Sequence, residues 1–280
     1  MLAVVIVSWN VRDLLRDCLA SLLADVARDG IATRVIVVDS ASADGSPAMV
    51  RAEFPSVELI ASDTNIGYVK GNNLALRDLG DAEYVWLLNP DTRVQPGATK
   101  TLLDFMAAHP RCGLSGPQLQ NADGSLQHGA FALPGLMQLA IDVVPRLQAR
   151  LRDTRWDGRY LPAQYAQHKP FRIGAPLGAA MLARAQAIAG VGLLDEGFEM
   201  YCEELDWAKR MHDAGWDVWC VPAAMVTHYG GASSGQASQR AEQLKWQSRQ
   251  RYYAKHYSPL KHWLAQQLVP AAYREVASSQ

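Results

Sequence analysis

Carboxylates and one histidine at the ends of apolar runs are the residues here whose types and spacing suit chemistry. In EYVWLLNPDTRV, Glu83 to Val94, an apolar run from Tyr84 to Leu88 stops at Asn89-Pro90-Asp91-Thr92. Asn, Pro and Asp end strands in ordinary type I turns. A carboxylate at a strand tip also suits Mg²⁺ or Mn²⁺, which prefer oxygen ligands and leave positions for phosphate oxygens. From this stretch alone, turn and metal readings of Asp91 stand side by side. His228, in MVTHYGG, follows a short apolar run and precedes a glycine loop. A single histidine is more often packed or exposed than a ligand, yet it is the one candidate for a second ligand beside Asp91.

FEMYCEELDWAKR, Phe198 to Arg210, places Glu203, Glu204 and Asp206 at the start of a helical pattern. Acidic residues favour a first turn. Asp206 and Arg210 are spaced for an i,i+4 ion pair, which gives Asp206 a structural role. Glu203 and Glu204 leave a helix about 100° apart, so at most one is expected to face a given site. Asp39 lies at the end of the run RVIVVDS. A carboxylate there can accept the N3–H of a uracil or thymine ring, or simply cap a turn. NIGYVKGNN (65–73) sets two glycines before a helical pattern. Glycines admit a ligand to the backbone and a helix N-terminus favours phosphate, although an ordinary capped loop has the same composition.

The elements that must position these residues alternate. A continuous apolar run at 2–8 and RVIVVDS (34–40) read as buried strands, VELIAS (57–62) and EYVWLLN (83–89) as a third and a fourth strand, and 11–28, 46–54, 67–79 and 97–109 as helices. This order predicts an α/β fold, a mostly parallel sheet with helices on both faces. Ligands of such sheets bind at the carboxyl ends of the strands. Ser8, Asn10, Asp39, Ser40, Asn89 and Asp91 all fall there. Residues 120–172 are irregular and read as a variable region over the site. Order returns with a helix over 201–214 and a strand around 217–222. GGASSGQAS (230–238) reads as a flexible loop, and a helix runs on from Gln239. The expectation is one domain, 1–235, with a helical extension, 236–280.

Two basic stretches stand apart. Arg146, Arg150, Arg152, Arg155 and Arg159, with only Asp153 and Asp157 among them, read as a solvated helix face. The alternative is contact with an anionic lipid-linked acceptor or membrane surface. In the tail, Lys255, His256, Lys261 and His262 precede Trp263, Leu264, Gln267 and Leu268. An amphipathic helix there could rest on a membrane, pack on the core, or meet a second subunit.

The chain has 280 residues and a net charge of −1, which argues against a dedicated nucleic-acid binder. Its four cysteines form no CxxC pair, so a zinc ribbon is not expected, and buried, reduced thiols in a cytoplasmic protein are. The opening LAVVIVSWN lacks a basic n-region, and Ile173 to Leu194 is broken by Pro176, Arg184 and Gln186. Neither a signal peptide nor a membrane span is expected.

Taken in order, VSWN (7–10), VVDSASADGS (37–46), NIGYVKGNN (65–73), LLNPDT (87–92), GVGLLDEGFEMYCEELDWAKR (190–210) and THYGGAS (227–233) resemble glycosyltransferase family 2, within it the rhamnosyltransferase-like branch. The resemblance spans residues 2 to about 235. It implies a glycosyltransferase A fold and an inverting transfer, dependent on Mn²⁺ or Mg²⁺, from a nucleotide sugar. Asp39 would read the pyrimidine, with Ser8 and Asn10 nearby, and Asn65, Gly67, Lys70 and Asn73 would line the donor pocket. Asp91 would take the metal role of the family's DxD motif, whose first acid is Asn89 here. His228 matches a further metal ligand of some relatives. The family's Glu-Asp catalytic pair reads Glu203-Glu204, which makes Glu204 the base. The implied donor is dTDP-L-rhamnose, then another pyrimidine-nucleotide hexose or galactofuranose. The implied acceptor is a glycan or lipid-linked hydroxyl in cell-surface polysaccharide synthesis, reached from the cytoplasmic side of the membrane. A nucleotide-sugar binding protein without catalysis is the alternative. A nucleotidylyltransferase wants a glycine- and arginine-rich phosphate loop after the first strand, and SWNVRDLL is not one.

Overall fold

The computed structural model describes residues 1–152, 154, 156–230 and 238–270. The first half alternates as its apolar runs require: β1 (Leu2–Ser8), α1 (Arg12–Arg28), β2 (Thr33–Ser40), α2 (Ser46–Glu53), β3 (Glu58–Ser62), α3 (Gly67–Leu76), β4 (Tyr84–Leu88), β5 (Thr92–Val94) and α4 (Ala98–Ala108). A less regular stretch follows, with β6 (Cys112–Gln120), β7 (Leu126–Gln127), β8 (Ala130–Phe131), α5 (Leu136–Val143), α6 (Pro145–Leu151), α7 (Pro162–Ala166), β9 (Phe171–Arg172) and β10 (Ala175–Pro176). The chain closes with β11 (Ala180–Arg184), α8 (Ala185–Val191), α9 (Glu203–Asp213), β12 (Asp217–His228), α10 (Ser238–His256) and α11 (Pro259–Leu268).

The main sheet runs in the order β3-β2-β1-β4-β11-β6-β12-β5. β3, β2, β1 and β4 are parallel, as the alternation dictates. β11 is antiparallel to both β4 and β6, and β5 is antiparallel to β12. The second departure matters most. It sets His228 opposite Thr92, so the end of β12 meets the turn that carries Asp91. β12 is also longer than expected, reaching past a register shift between Val221 and Met225 to His228.

Apolar side chains pack on both faces of the sheet. α3 lies hard against β1: a Cβ on Gly71 would fall 2.8 Å from Val7 Cγ1, so only glycine allows this approach. A third cluster joins Leu139 of α5, Phe198 and Cys202 before α9, and Trp246, Tyr252 and Tyr253 of α10. All four cysteines are buried free thiols. Burial pushes the Cys18 thiol up to about 12.

The first basic pair of the tail takes the core-packing alternative. Lys255 Nζ lies 2.7 Å from Asp195 and 2.7 Å from Asp206, and His256 Nε2 lies 2.7 Å from Asp206. Half of the expected basic patch therefore clamps α10 to α9. The arginine run departs from its helix-face reading. α6 ends at Leu151, so only Arg146 and Arg150 sit on its exposed surface. Asp153 and Arg155 lie outside the described residues, as do most of GGASSGQAS and the expected boundary at 235/236. No helix among the described residues is long and apolar enough to cross a membrane.

Candidate active site

The parallel register of β1 and β2 puts Ser8 beside Asp39. Asp39 Oδ2 accepts the Ser42 backbone N–H at 2.9 Å, whereas Asp39 Oδ1 and Ser8 Oγ are buried without a hydrogen-bond partner. A buried polar atom left unpaired is costly, and these two together suit a ligand that brings its own donor, such as an imide N–H. Asn10 is spent on the pocket wall. Its φ is +52°, its N–H donates to Ser42 Oγ at 2.9 Å, and its Oδ1 accepts from Ala43 N at 2.7 Å.

Asn65 ties the end of β2 to the start of α3. Its Oδ1 accepts from Ser40 Oγ at 3.0 Å and from Gly67 N at 3.0 Å. Gly67 turns the chain there at φ +74°, where a side chain would strain. Lys70 is exposed in the first turn that follows. Asn73, expected along the donor pocket, has its amide engaged elsewhere. Nδ2 donates to Leu194 O at 2.9 Å and Glu196 Oε1 at 3.1 Å, and Oδ1 accepts from Leu194 N at 3.1 Å. Its observed place is a clamp between α3 and the approach to α9.

Asp91 and His228 meet as the β5–β12 pairing requires, with His228 Nε2 3.4 Å from Asp91 Oδ1. The backbone reinforces this, since Tyr229 N donates to Asp91 O at 2.9 Å. The other ring nitrogen, Nδ1, lies 2.8 Å from Gln127 Oε1. Gln127 Nε2 donates to Asn121 Oδ1 at 3.0 Å, which fixes the amide so that its oxygen faces the ring. The proton of a neutral His228 then sits on Nδ1, and the Nε2 lone pair points at Asp91. This is the tautomer a metal ligand needs, with its orientation held by a hydrogen-bond partner behind it. A carboxylate oxygen beside an imidazole nitrogen is a donor pair that would suit a Mn²⁺ or Mg²⁺ ion. No group of three or more such ligands gathers among the described residues. The pair thus suits an ion whose remaining positions are taken by phosphate and water oxygens. Gln127 carried no signal in the sequence, because its role depends on β7 pairing with the end of β6, whose other edge carries β12.

The turn reading of Asp91 also holds locally, since Thr92 Oγ1 donates to Asn89 O at 2.7 Å. Asn89 N donates to Ala179 O at 2.9 Å, which brings the 178–179 segment to this motif. On its other side that segment meets the glutamates. A Cβ on Gly178 would lie 3.7 Å from Tyr68 Oη, 3.9 Å from Glu204 Cβ and 4.0 Å from Glu203 Oε1. Tyr68 Oη donates to Gly178 O at 2.8 Å. Tyr68 is thus a site residue inside NIGYVKGNN that sequence reasoning passed over.

The expectation that only one glutamate faces a given site gives way here. Both project from the open first turn of α9, and both Oε2 atoms are buried without a partner. Burial pushes the Glu204 carboxyl up to about 7. Burial and then the Glu204 charge push Glu203 well above the usual carboxylate range. Burial and the charge of so close a neighbour thus disfavour ionising both carboxyls together. Asp206, in contrast, makes the expected pair with Arg210 Nε at 2.8 Å and adds His256 and Lys255. Burial opposes its charge, but hydrogen bonds from His256 and Lys255, then Arg210, outweigh it and hold the carboxyl down at about 2.

The sequence pattern of glycosyl transferase family 2 matches residues 3–128, from β1 through β7. The N-acetylglucosaminyl-diphospho-decaprenol L-rhamnosyltransferase of Mycobacterium tuberculosis is 30% identical over 246 residues, 84% of this chain and 78% of the relative. The chain belongs to glycosyltransferase family 2. This glycosyltransferase has the glycosyltransferase A fold. A mannosyltransferase from Pyrobaculum calidifontis, solved with GDP-Man and Mn²⁺, superposes with a TM-score of 0.61 at 17% identity, over 99% of this chain and 74% of that one. GalNAc-T7, solved with UDP, GalNAc and Mn²⁺, gives a TM-score of 0.61 at 15% identity over 81% of this chain. The glycosyltransferase spans only 43% of that longer chain. It requires a nucleotide-sugar donor and a glycan or lipid-linked acceptor.

Proposed function

We propose that this glycosyltransferase moves a hexose, L-rhamnose in the first instance, from a pyrimidine nucleoside diphosphate to a hydroxyl of a lipid-linked glycosyl diphosphate, with inversion. The single observation that carries this reading is the 178–179 segment, which touches Asn89 of the Asp91 motif on one side and Glu204 on the other. This closeness supports a donor diphosphate bound near Asp91 with its sugar beside a carboxylate that burial raises to about 7. The pyrimidine imide meets Asp39 Oδ1 and Ser8 Oγ. Asp91 Oδ1 and His228 Nε2 would hold Mn²⁺ or Mg²⁺, and a bound ion would supply positive charge against the departing diphosphate. Glu204 accepts the proton of the acceptor hydroxyl as that oxygen bonds to the anomeric carbon and the bond to the diphosphate breaks. One displacement inverts the centre, and the chain needs no nucleophile of its own.

The donor choice is supported by the 30% identity to the mycobacterial L-rhamnosyltransferase, whose acceptor also supplies the class proposed here. An acceptor of this kind lies at a bilayer. α11 turns Leu260, Trp263 and Leu264 outward at 68%, 55% and 39% exposure, one stripe of a helix that can rest on lipid. A thermal-shift screen of nucleotide sugars with Mn²⁺ or Mg²⁺ tests the donor, since a ligand of the folded state must raise its melting temperature. dTDP-L-rhamnose is expected to stabilise the enzyme only with metal, and not at all in Asp91→Ala. Equal stabilisation by purine-linked sugars, or in EDTA, would contradict the reading.

A further inference from the structure

A second polar cavity, of about 250 Å³, opens between the α5–α6 region and α10, and the mechanism above makes no use of it. Arg152, Arg159, Lys245 and Arg249 line it, against two carboxylates, Asp142 and Asp157. The cations come from two distant stretches of chain and converge only in the fold. Asp142 pairs with Arg249, and Asp157 pairs with Arg159, 3.8 Å from its Nη1, while also accepting the Arg159 backbone N–H at 3.0 Å. The four cations still outnumber the two acids, on a protein whose net charge is −1. Such a lining disfavours apolar and cationic occupants and favours a dianion held by several charge-assisted hydrogen bonds.

The α10 wall of the cavity is tied to the segment that leads into α9. Lys245 Nζ lies 5.9 Å from the Trp246 ring centre and Arg249 Cζ 5.5 Å, and Trp246 is buried against Phe198 and Cys202. Ser248 Oγ donates to Met200 O at 2.6 Å. Burial raises the Cys202 thiol, while Arg249 and Lys245 act on it in the opposite sense, so both cations stand near the residue that immediately precedes Glu203-Glu204.

We infer that this cavity binds the phosphate or diphosphate group of the acceptor, and so anchors the acceptor while its hydroxyl reaches Glu204. Assigning the anion to the acceptor rests on the transferase reading above; the existence of an anion site does not. The phosphate of a bilayer lipid headgroup has the same chemistry, and the experiment must separate the two sources.

Inorganic pyrophosphate, titrated calorimetrically in EDTA, tests the anion site without donor, metal or turnover. Lys245→Glu is expected to weaken binding by roughly tenfold or more, the scale of a lost charge-assisted contact. Arg152→Glu, at an exposed position, repeats the test should Lys245→Glu melt early. Asp91→Ala should bind pyrophosphate as the wild type does, which excludes the donor site. No binding by the wild type, or undiminished binding in both charge reversals, overturns the inference. The second arm uses a water-soluble, short-chain glycosyl diphosphate acceptor with no bilayer present. Its KM should rise roughly tenfold in the same variants, while kcat and the Kd of the donor change far less. An unchanged KM, with the loss confined to flotation on phosphatidylglycerol vesicles, would assign the cavity to lipid headgroups and overturn the acceptor reading.

Discussion

His228 Nε2 lies 3.4 Å from Asp91 Oδ1, and the opposite ring nitrogen is held by Gln127 Oε1 at 2.8 Å. Gln127 therefore decides which nitrogen of His228 carries the proton. Gln127→Leu keeps the bulk and removes the acceptor. Mn²⁺ affinity in the presence of dTDP, read by electron paramagnetic resonance, should fall roughly 10–100-fold, the usual cost of losing such a partner. His228→Ala should weaken metal binding less than Asp91→Ala, because the nucleotide also supplies ligands. Wild-type affinity in Gln127→Leu would return the histidine to a packing role.

Glu204 stores a stability cost that depends on pH. Its folded carboxyl titrates at about 7, against the ordinary 4.5. The folded state thus holds a proton that the unfolded chain has released, and stability falls as pH rises from about 4.5 to about 7. Glu204→Gln removes this cost. Relative to wild type it should gain on the order of 1–3 kcal/mol at pH 8 and nearly nothing at pH 4, by denaturant unfolding. An equal effect at both pH values would show that the carboxyl titrates normally.

Asp206 behaves in the opposite sense. Its carboxyl is held at about 2, below the ordinary 3.8. Its contribution is present above about pH 4 and is lost as pH falls through about 2, amounting to about 2 kcal/mol. Asp206→Ala leaves Arg210, Lys255 and His256 facing one another and should cost about 3–5 kcal/mol at pH 7. A loss below about 1 kcal/mol in urea unfolding would mean that α10 docks on α9 without this carboxylate.

The strands and helices of the first half were legible because apolar runs, rich in Val and Ile in the first two strands, alternate with helical spacing and turn residues. The parallel order followed from alternation. What the sequence did not carry was pairing between distant segments. The antiparallel insertion of β11 and the β5–β12 ladder have no local signature, yet they place Asp91 at His228. Asp91 and the Glu203-Glu204 pair stood out by type and position, and only the family resemblance singled out Glu204. Gln127 and Tyr68 did not, because an amide and a phenol gain their roles only from what the fold sets opposite them. Lys255 and His256 stayed ambiguous for the same reason: a basic pair in a helical tail fits a membrane or the core alike until a buried Asp206 meets it.

The central claim is that Glu204 takes the acceptor proton beside a metal-held diphosphate, and single-turnover transfer with donor and Mn²⁺ saturating tests it most directly. Glu204→Gln keeps the side chain's size and hydrogen-bonding capacity but cannot act as the base. Its rate should fall roughly 10²–10⁴-fold while dTDP binding holds. Glu203→Gln removes only the neighbouring carboxyl and should lose far less. A near-normal rate in Glu204→Gln beside a collapsed rate in Glu203→Gln would contradict the account and move the base by one residue.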